Sequence, residues 1–264
     1  WDRLSPGAES HAIAQGWWEA KDVRFNYADA YSASDRTEGS GARRLARSCA
    51  VLAERSGGID FRTMMALLSD HSDGTDPSEP FQTAVKTPPC ICVHHQDDGT
   101  GGNTAASLVA DFCSDGSRLP VYWCSLYSPC LGLFFPVFIE GELPAILSVG
   151  DGTPSDESPW WGFHRLSRAA RAGSGEGVDV VRERWVPLQQ RLFDSAYEVA
   201  AEGRRLLDDS RESDVSTLLS GFMSEAVSDM MGELSRILDD LGGVTAEHAV
   251  ESPGEAADKE GLPF

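Results

Sequence analysis

The stretch Pro88–Pro136, PPCICVHHQDDGTGGNTAASLVADFCSDGSRLPVYWCSLYSPCLGLFFP, constrains the fold more than any other part of the chain. Short runs of β-branched and aromatic residues are punctuated by Gly, Asp and Pro, a pattern that predicts strands joined by tight turns. Cys90–His94 reads as a first short strand entered through two prolines. Asp97–Asn103 is a turn cluster. Thr104–Phe112 puts Thr104, Ala106, Leu108, Ala110 and Phe112 on one face at period two. Ser114–Ser117 is a second turn, Val121–Tyr127 a strand dense in aromatics, and Leu131–Ile139 follows Pro129. Strands this close in sequence are expected as neighbouring ribbons of one antiparallel meander, with helices on at least one face.

Helical spacing dominates the flanks. Glu9–Lys21 is expected as a helix burying Ile13 and the Trp17–Trp18 pair. Ser40–Arg55 brings Leu45, Cys49 and Leu52 into helical register and is stopped by Gly57-Gly58. Asp60 is the expected N-cap of a helix over Phe61–Asp70 with Phe61, Met64, Met65 and Leu68 inward. Trp160–Arg171 is a short helix with aromatic anchors. Val178–Leu207 carries Val178, Val181, Trp185, Leu188, Leu192, Ala196 and Val199 on one stripe, with Pro187 expected to kink it or mark its first turn. Val215–Leu241 carries Val215, Leu219, Phe222, Ala226, Met230, Leu234, Ile237 and Leu241. These two are expected as a long hairpin packed on the body or on a partner. The domain reading is therefore 1–172 as an α+β body, 173–242 as long helices, and 243–264 as an acidic, aperiodic tail expected to be disordered.

Charge narrows the function classes. A formal charge of −20, with only Lys21, Lys86 and Lys259 as lysines, argues against nucleic acid as a partner, because phosphate binding needs clustered cations. No apolar run reaches membrane-spanning length. The opening WDRLSPGAES lacks a basic segment followed by an apolar one, so the expected location is the cytoplasm.

Six cysteines, Cys49, Cys90, Cys92, Cys113, Cys124 and Cys130, invite a metal or disulfide reading. Cys90 and Cys92 are one residue apart, which matches no zinc spacing. Most of the six lie in apolar segments where a free thiol acts as a small hydrophobe, so no metal and no cofactor is expected. The Asp-rich loop Ser69–Pro77 lacks the twelve-residue calcium spacing and is expected as a solvated turn. Among possible bases, His71 follows Asp70 at a helix end, His94 and His95 end the first strand, and His164 is expected to be packed; His11 and His248 look exposed. Cys92 and His94 share one side of a strand. DDGTGGN joins two strands and lacks a lysine, so it is a turn and not a phosphate loop. The residues alone give an α+β domain without a visible active site.

The order of several blocks adds a resemblance. GWWEAKDVRFNYADAY, GARRLARSCAVL, DFRTMMALLSDHSDG, TPPCICVHHQ, NTAASLVADF, LPVYWCSLYSPCLGLFFPVFIEGELP and SPWWGFHRLSR, from about Gly16 to Arg171, resemble successive blocks of the secernin-like cysteine dipeptidases of the N-terminal-nucleophile hydrolase superfamily. The resemblance implies an αββα sandwich of mainly antiparallel sheets. It implies a hydrolase that cleaves linear amide bonds of small peptides or N-acyl amino acids, using an N-terminal Cys whose own α-amino group is the base. Residue 1 is Trp, so that Cys and its segment would precede Trp1, and where the family's block carries an Arg before Asp-His this chain has Ser69. The expectation is the C-terminal part of such an enzyme. Its missing segment would be cut away or supplied by a separate chain, homo-oligomers being possible partners too. It would be inactive alone, with Asp70, His71 and His94 lining a pocket. The alternative is a non-catalytic scaffold that binds a partner through its C-terminal helices.

Overall fold

The structure is a computed structural model. It describes residues 4–19, 24–31, 40–71, 91–94, 103–172 and 176–251. Cys90, His95, the Asp-rich loop from residue 72, the glycine turn at 97–102 and the tail beyond Glu251 lie outside the described residues. The described residues mix helix and sheet: a small three-stranded antiparallel sheet and seven α-helices, the last two long. It divides into two compact units, Trp1–Ala46 and Arg47–Phe264.

In the first unit, α1 covers Ala8–Ala14 and α2 Tyr27–Tyr31. The helix expected to reach Lys21 ends early, because Gly16 turns the chain at φ 72°. Ile13 and Trp17 are exposed, contrary to expectation. The Trp17 indole instead stands edge-on to His11 and Tyr31, and the Tyr31 hydroxyl donates to the Ala8 carbonyl at 2.9 Å. α3 covers Ser40–Glu54; its Leu45, in the first unit, and Cys49, in the second, are exposed.

The second unit holds the sheet. β1 (Ala106–Asp111) pairs with β2 (Val121–Leu126) from Ala106↔Leu126 to Asp111↔Val121, and β2 pairs with β3 (Phe135–Val137) through Trp123↔Pro136. Alternation sorts the faces. Val109, Val121, Trp123 and Ser125 point into the core, whereas Leu108 and Phe112 stay exposed and Tyr122, Cys124 and Leu126 are half-buried. Two expectations need correction. Residues 91–94 are not a strand: they form a bend tied to the sheet's entrance by Thr104 N–H to the Val93 carbonyl (2.9 Å) and Val93 N–H to Thr104 Oγ1 (2.9 Å). The Leu131–Ile139 run contributes only three strand residues. Its first part is instead clamped by Gln189, which bonds both the N–H and the carbonyl of Phe134 (2.9 and 2.8 Å).

Helices cover the inner face. α4, Phe61–Leu68, starts where the Asp60 carboxylate accepts from the Thr63 N–H at 2.7 Å, an N-cap as expected. Phe61 stacks on Trp123 at 5.5 Å. α5 spans Pro159–Ala170, α6 Glu176–Asp208 and α7 Glu212–Glu251. The last two run antiparallel, since Arg184 pairs with Glu233 and Asp240 while Arg191 pairs with Asp229. Ser210, at φ 57°, closes α6 with Ser210 N–H to Leu207 and Arg211 N–H to Leu206, a Schellman ending. Their apolar stripes are buried: Val178, Val181, Trp185, Leu188, Leu192 and Ala196 against Leu219, Met230, Leu234 and Ile237. α6 passes through Pro187 without a break, and α7 runs past Gly242, where the sequence reading ends it. Among the described residues no helix is long and apolar enough to cross a membrane.

Candidate functional site

Four side chains from three places in the sequence converge beside the sheet. His71 follows α4; Cys92 and His94 lie on the 91–94 bend; Cys130 lies on the turn between β2 and β3. Their donor atoms all fall within 4.8 Å of one another. His94 Nε2 is 3.2 Å from His71 Nε2, 3.6 Å from Cys92 Sγ and 3.3 Å from Cys130 Sγ. The two imidazoles lie nearly parallel, 13° apart with centroids at 4.9 Å. Cys92 is fully buried and Cys130 nearly so, while both histidines are half-buried.

Each segment is held in place from behind. The Asp70 carbonyl accepts from both Ile91 N–H (3.1 Å) and Cys92 N–H (3.2 Å), fixing the bend to the end of α4. The Asp70 carboxylate takes a two-pronged bond from Arg47 on α3, at 2.7 and 3.0 Å. Ser128 Oγ is 3.2 Å from His94 Nδ1. The Cys130 turn is closed by Leu131 N–H to the Ser128 carbonyl and fastened to α6 by Trp185 Nε1–H to the Leu131 carbonyl at 3.0 Å. Gly132 is required there, since a Cβ would come within 2.5 Å of Ser125 Oγ. Tyr127, just before the turn, has φ 57°, a conformation costly for a bulky residue.

The electrostatics follow from the geometry. The Cys92 thiol is pulled far down from its ordinary value, first by the hydrogen bond from Cys130 and against the effect of burial. Burial, and then the proton shared with Cys92, pushes Cys130 up. Burial pushes His94 down, so its imidazole is neutral. With Ser128 Oγ at its Nδ1, His94 turns its Nε2 toward the cluster. Two imidazoles and two thiols are the donor set of a soft or borderline metal ion, and these four are the residues that could hold one.

The structure thus gathers His71 and His94, expected as pocket lining, and places Asp70 immediately behind them as an anchor. Cys130 was not anticipated at this site. The Cys92–His94 proximity was legible as residues i and i+2; its completion by His71 and Cys130, 21 and 36 residues away from the nearer member, follows no local spacing. His164 lies apart, edge-on to Trp161 and Tyr127, on a cleft of about 410 Å³ lined by Pro154, Asp156, Trp161, Arg165 and Arg168. No family model matches the sequence, and no solved structure matches the fold.

Proposed function

We propose that the chain is the frame-building C-terminal part of a secernin-like, cysteine-type amidohydrolase that cleaves linear amide bonds, with its nucleophile supplied from outside Trp1–Phe264. The observation that carries this reading is the sheet. Its inner face is loaded by α4, α6 and α7, yet its outer face is also apolar: Leu108 and Phe112 exposed, Tyr122, Cys124, Leu126 and Val137 half-buried, and Ile139 exposed just beyond β3. A soluble one-layer sheet normally puts polar residues on its open face. Two apolar faces are what a sheet needs to stand between helices on one side and a second sheet on the other, as an αββα sandwich requires. Four of the five described cysteines fit a frame better than a nucleophile, and the fifth, Cys113, bonds the Asp115 carboxylate at an exposed turn. Cys92 and Cys130 are buried and shared with two imidazoles, burial raises Cys124 to about 11, and Cys49 is exposed on a helix.

The test is hydrolysis of a dipeptide panel by the 264-residue chain alone and by the chain co-expressed with the coding segment directly upstream. Activity only in the second, lost in Leu108→Lys/Phe112→Lys, is the expected result. Hydrolysis by the chain alone would refute the assignment.

A further inference from the structure

We propose that His71, Cys92, His94 and Cys130 form a closed, tetrahedral zinc site that fastens the 91–94 bend and the Cys130 turn to the end of α4. The inference stands on geometry and does not depend on the amidohydrolase reading.

Hydrogen-bond capacity at His94 favours an ion. An imidazole Nε2 carries either one proton or one lone pair. His94 Nε2 nevertheless has three close neighbours: His71 Nε2 at 3.2 Å, Cys130 Sγ at 3.3 Å and Cys92 Sγ at 3.6 Å. His94 Nε2 can share a hydrogen bond with only one of the three at a time. A single ion at the centre satisfies all four groups at once.

With zinc bonds of about 2.0–2.1 Å to nitrogen and about 2.3 Å to sulfur, a tetrahedron has N···N edges of about 3.3 Å and N···S edges of about 3.6 Å. The His71–His94 separation is 3.2 Å, and the two His94–sulfur separations are 3.3 and 3.6 Å. These three of the six donor–donor separations match such edges, and all four donors lie within 4.8 Å of one another.

Two sulfurs and two imidazoles, with no carboxylate or backbone carbonyl among them, suit zinc and disfavour magnesium and calcium, which demand oxygen. Two thiolates cancel the ion's charge, so the ionised sulfurs of Cys92 and Cys130 are tolerated where both are buried. Ser128 Oγ beside His94 Nδ1 is the partner a ligating imidazole ordinarily has on its far nitrogen. Four protein donors leave no position for water or substrate, which makes the site structural and not catalytic.

The test is metal analysis of the chain purified without added metal, followed by exchange of the ion for Co²⁺. The expected result is about one zinc per chain, with the Co²⁺ form giving the visible absorption of a tetrahedral site and a thiolate-to-metal charge-transfer band. That band halves in Cys92→Ser and in Cys130→Ser, and is unchanged in Cys49→Ser. Should a variant fail to fold, chelation of the wild-type chain supplies the second readout: stripping the ion should lower the melting temperature, and adding Zn²⁺ alone should restore it. Less than about a tenth of an equivalent of zinc, together with no tetrahedral Co²⁺ spectrum and no thermal response to either treatment, would overturn the proposal. A Co²⁺ spectrum without thiolate charge transfer would overturn it equally.

Discussion

Replacing Gly132 by alanine probes the turn that presents Cys130. The glycine's φ lies outside the left-handed region, so the added methyl meets no backbone strain, only its neighbours. It would sit 2.5 Å from Ser125 Oγ, 3.3 Å from the Ser128 carbonyl oxygen and 3.4 Å from the Leu126 carbonyl oxygen. The first distance is impossible without movement, and the other two atoms are backbone. Ser125 is almost fully buried beside Trp123 on the inner face of β2, so its side chain has little room to retreat. Overpacking of this kind costs about 1–3 kcal/mol. For a chain of this size that corresponds to a fall in melting temperature of roughly 2–12 °C. Gly132 lies two residues from Cys130, so the same crowding disturbs the Cys130 turn. Ser125→Ala removes the worst contact and leaves the nearest atom at 3.3 Å, so the double variant Gly132→Ala/Ser125→Ala should recover about 1 kcal/mol relative to the sum of the single changes. Urea denaturation of the four proteins measures this coupling directly. A neutral Gly132→Ala, or a double variant no better than additive, would refute the crowding argument and with it the rigid placement of Cys130.

Three further outcomes are expected. Ser128→Ala should weaken zinc binding about 10–100-fold in a chelator competition while leaving the metal-free chain's stability nearly unchanged, because Ser128 acts on the ion only by orienting His94. Asp60→Ala should cost about 1 kcal/mol at neutral pH by removing the α4 cap. The bond from the Thr63 N–H holds the Asp60 carboxyl below its usual 3.8, so its contribution is complete above that value and disappears as pH falls through the lower folded-state value. Wild type and Asp60→Ala should therefore converge in strong acid, as denaturation curves at several pH values would show. Leu108→Lys/Phe112→Lys should leave the isolated chain's stability within about 0.5 kcal/mol, since both side chains are exposed, and differential scanning calorimetry checks this.

How much of this was legible depended on whether the cause was local. The β1–β2 pair followed from period-two alternation over Thr104–Phe112 and the aromatic run after Pro120, and both sit in the expected antiparallel arrangement. The stripes of α6 and α7 followed from steps of three and four, and their residues from Val178 to Ala196 are buried as the spacing required. The Asp60 cap was read from a single residue type. Elsewhere tertiary contacts outweighed pattern. The bend at 91–94 looks like a strand because Ile91 and Val93 are β-branched, but its N–H groups go to the Asp70 carbonyl and to Thr104 Oγ1. Leu131–Phe134 is apolar enough for a strand, yet Gln189 and Trp185 of α6 take its backbone groups. Ile13 and Trp17 are expected inside because they are large and apolar, but a seven-residue helix ending at Ala14, before the turn at Gly16, leaves them exposed. The candidate site is half legible: the sequence marks Asp70, His71 and His94, whereas Cys130 joins them only through the β2–β3 turn. Spacing rules see ligands close in sequence, and here the fold assembles them.

X-ray absorption at the zinc edge of the purified chain tests the centre most directly. The account predicts a four-coordinate shell of two sulfurs at about 2.3 Å and two imidazole nitrogens at about 2.0–2.1 Å. A shell of nitrogen and oxygen alone, or a preparation that binds no zinc while fully folded, would contradict it.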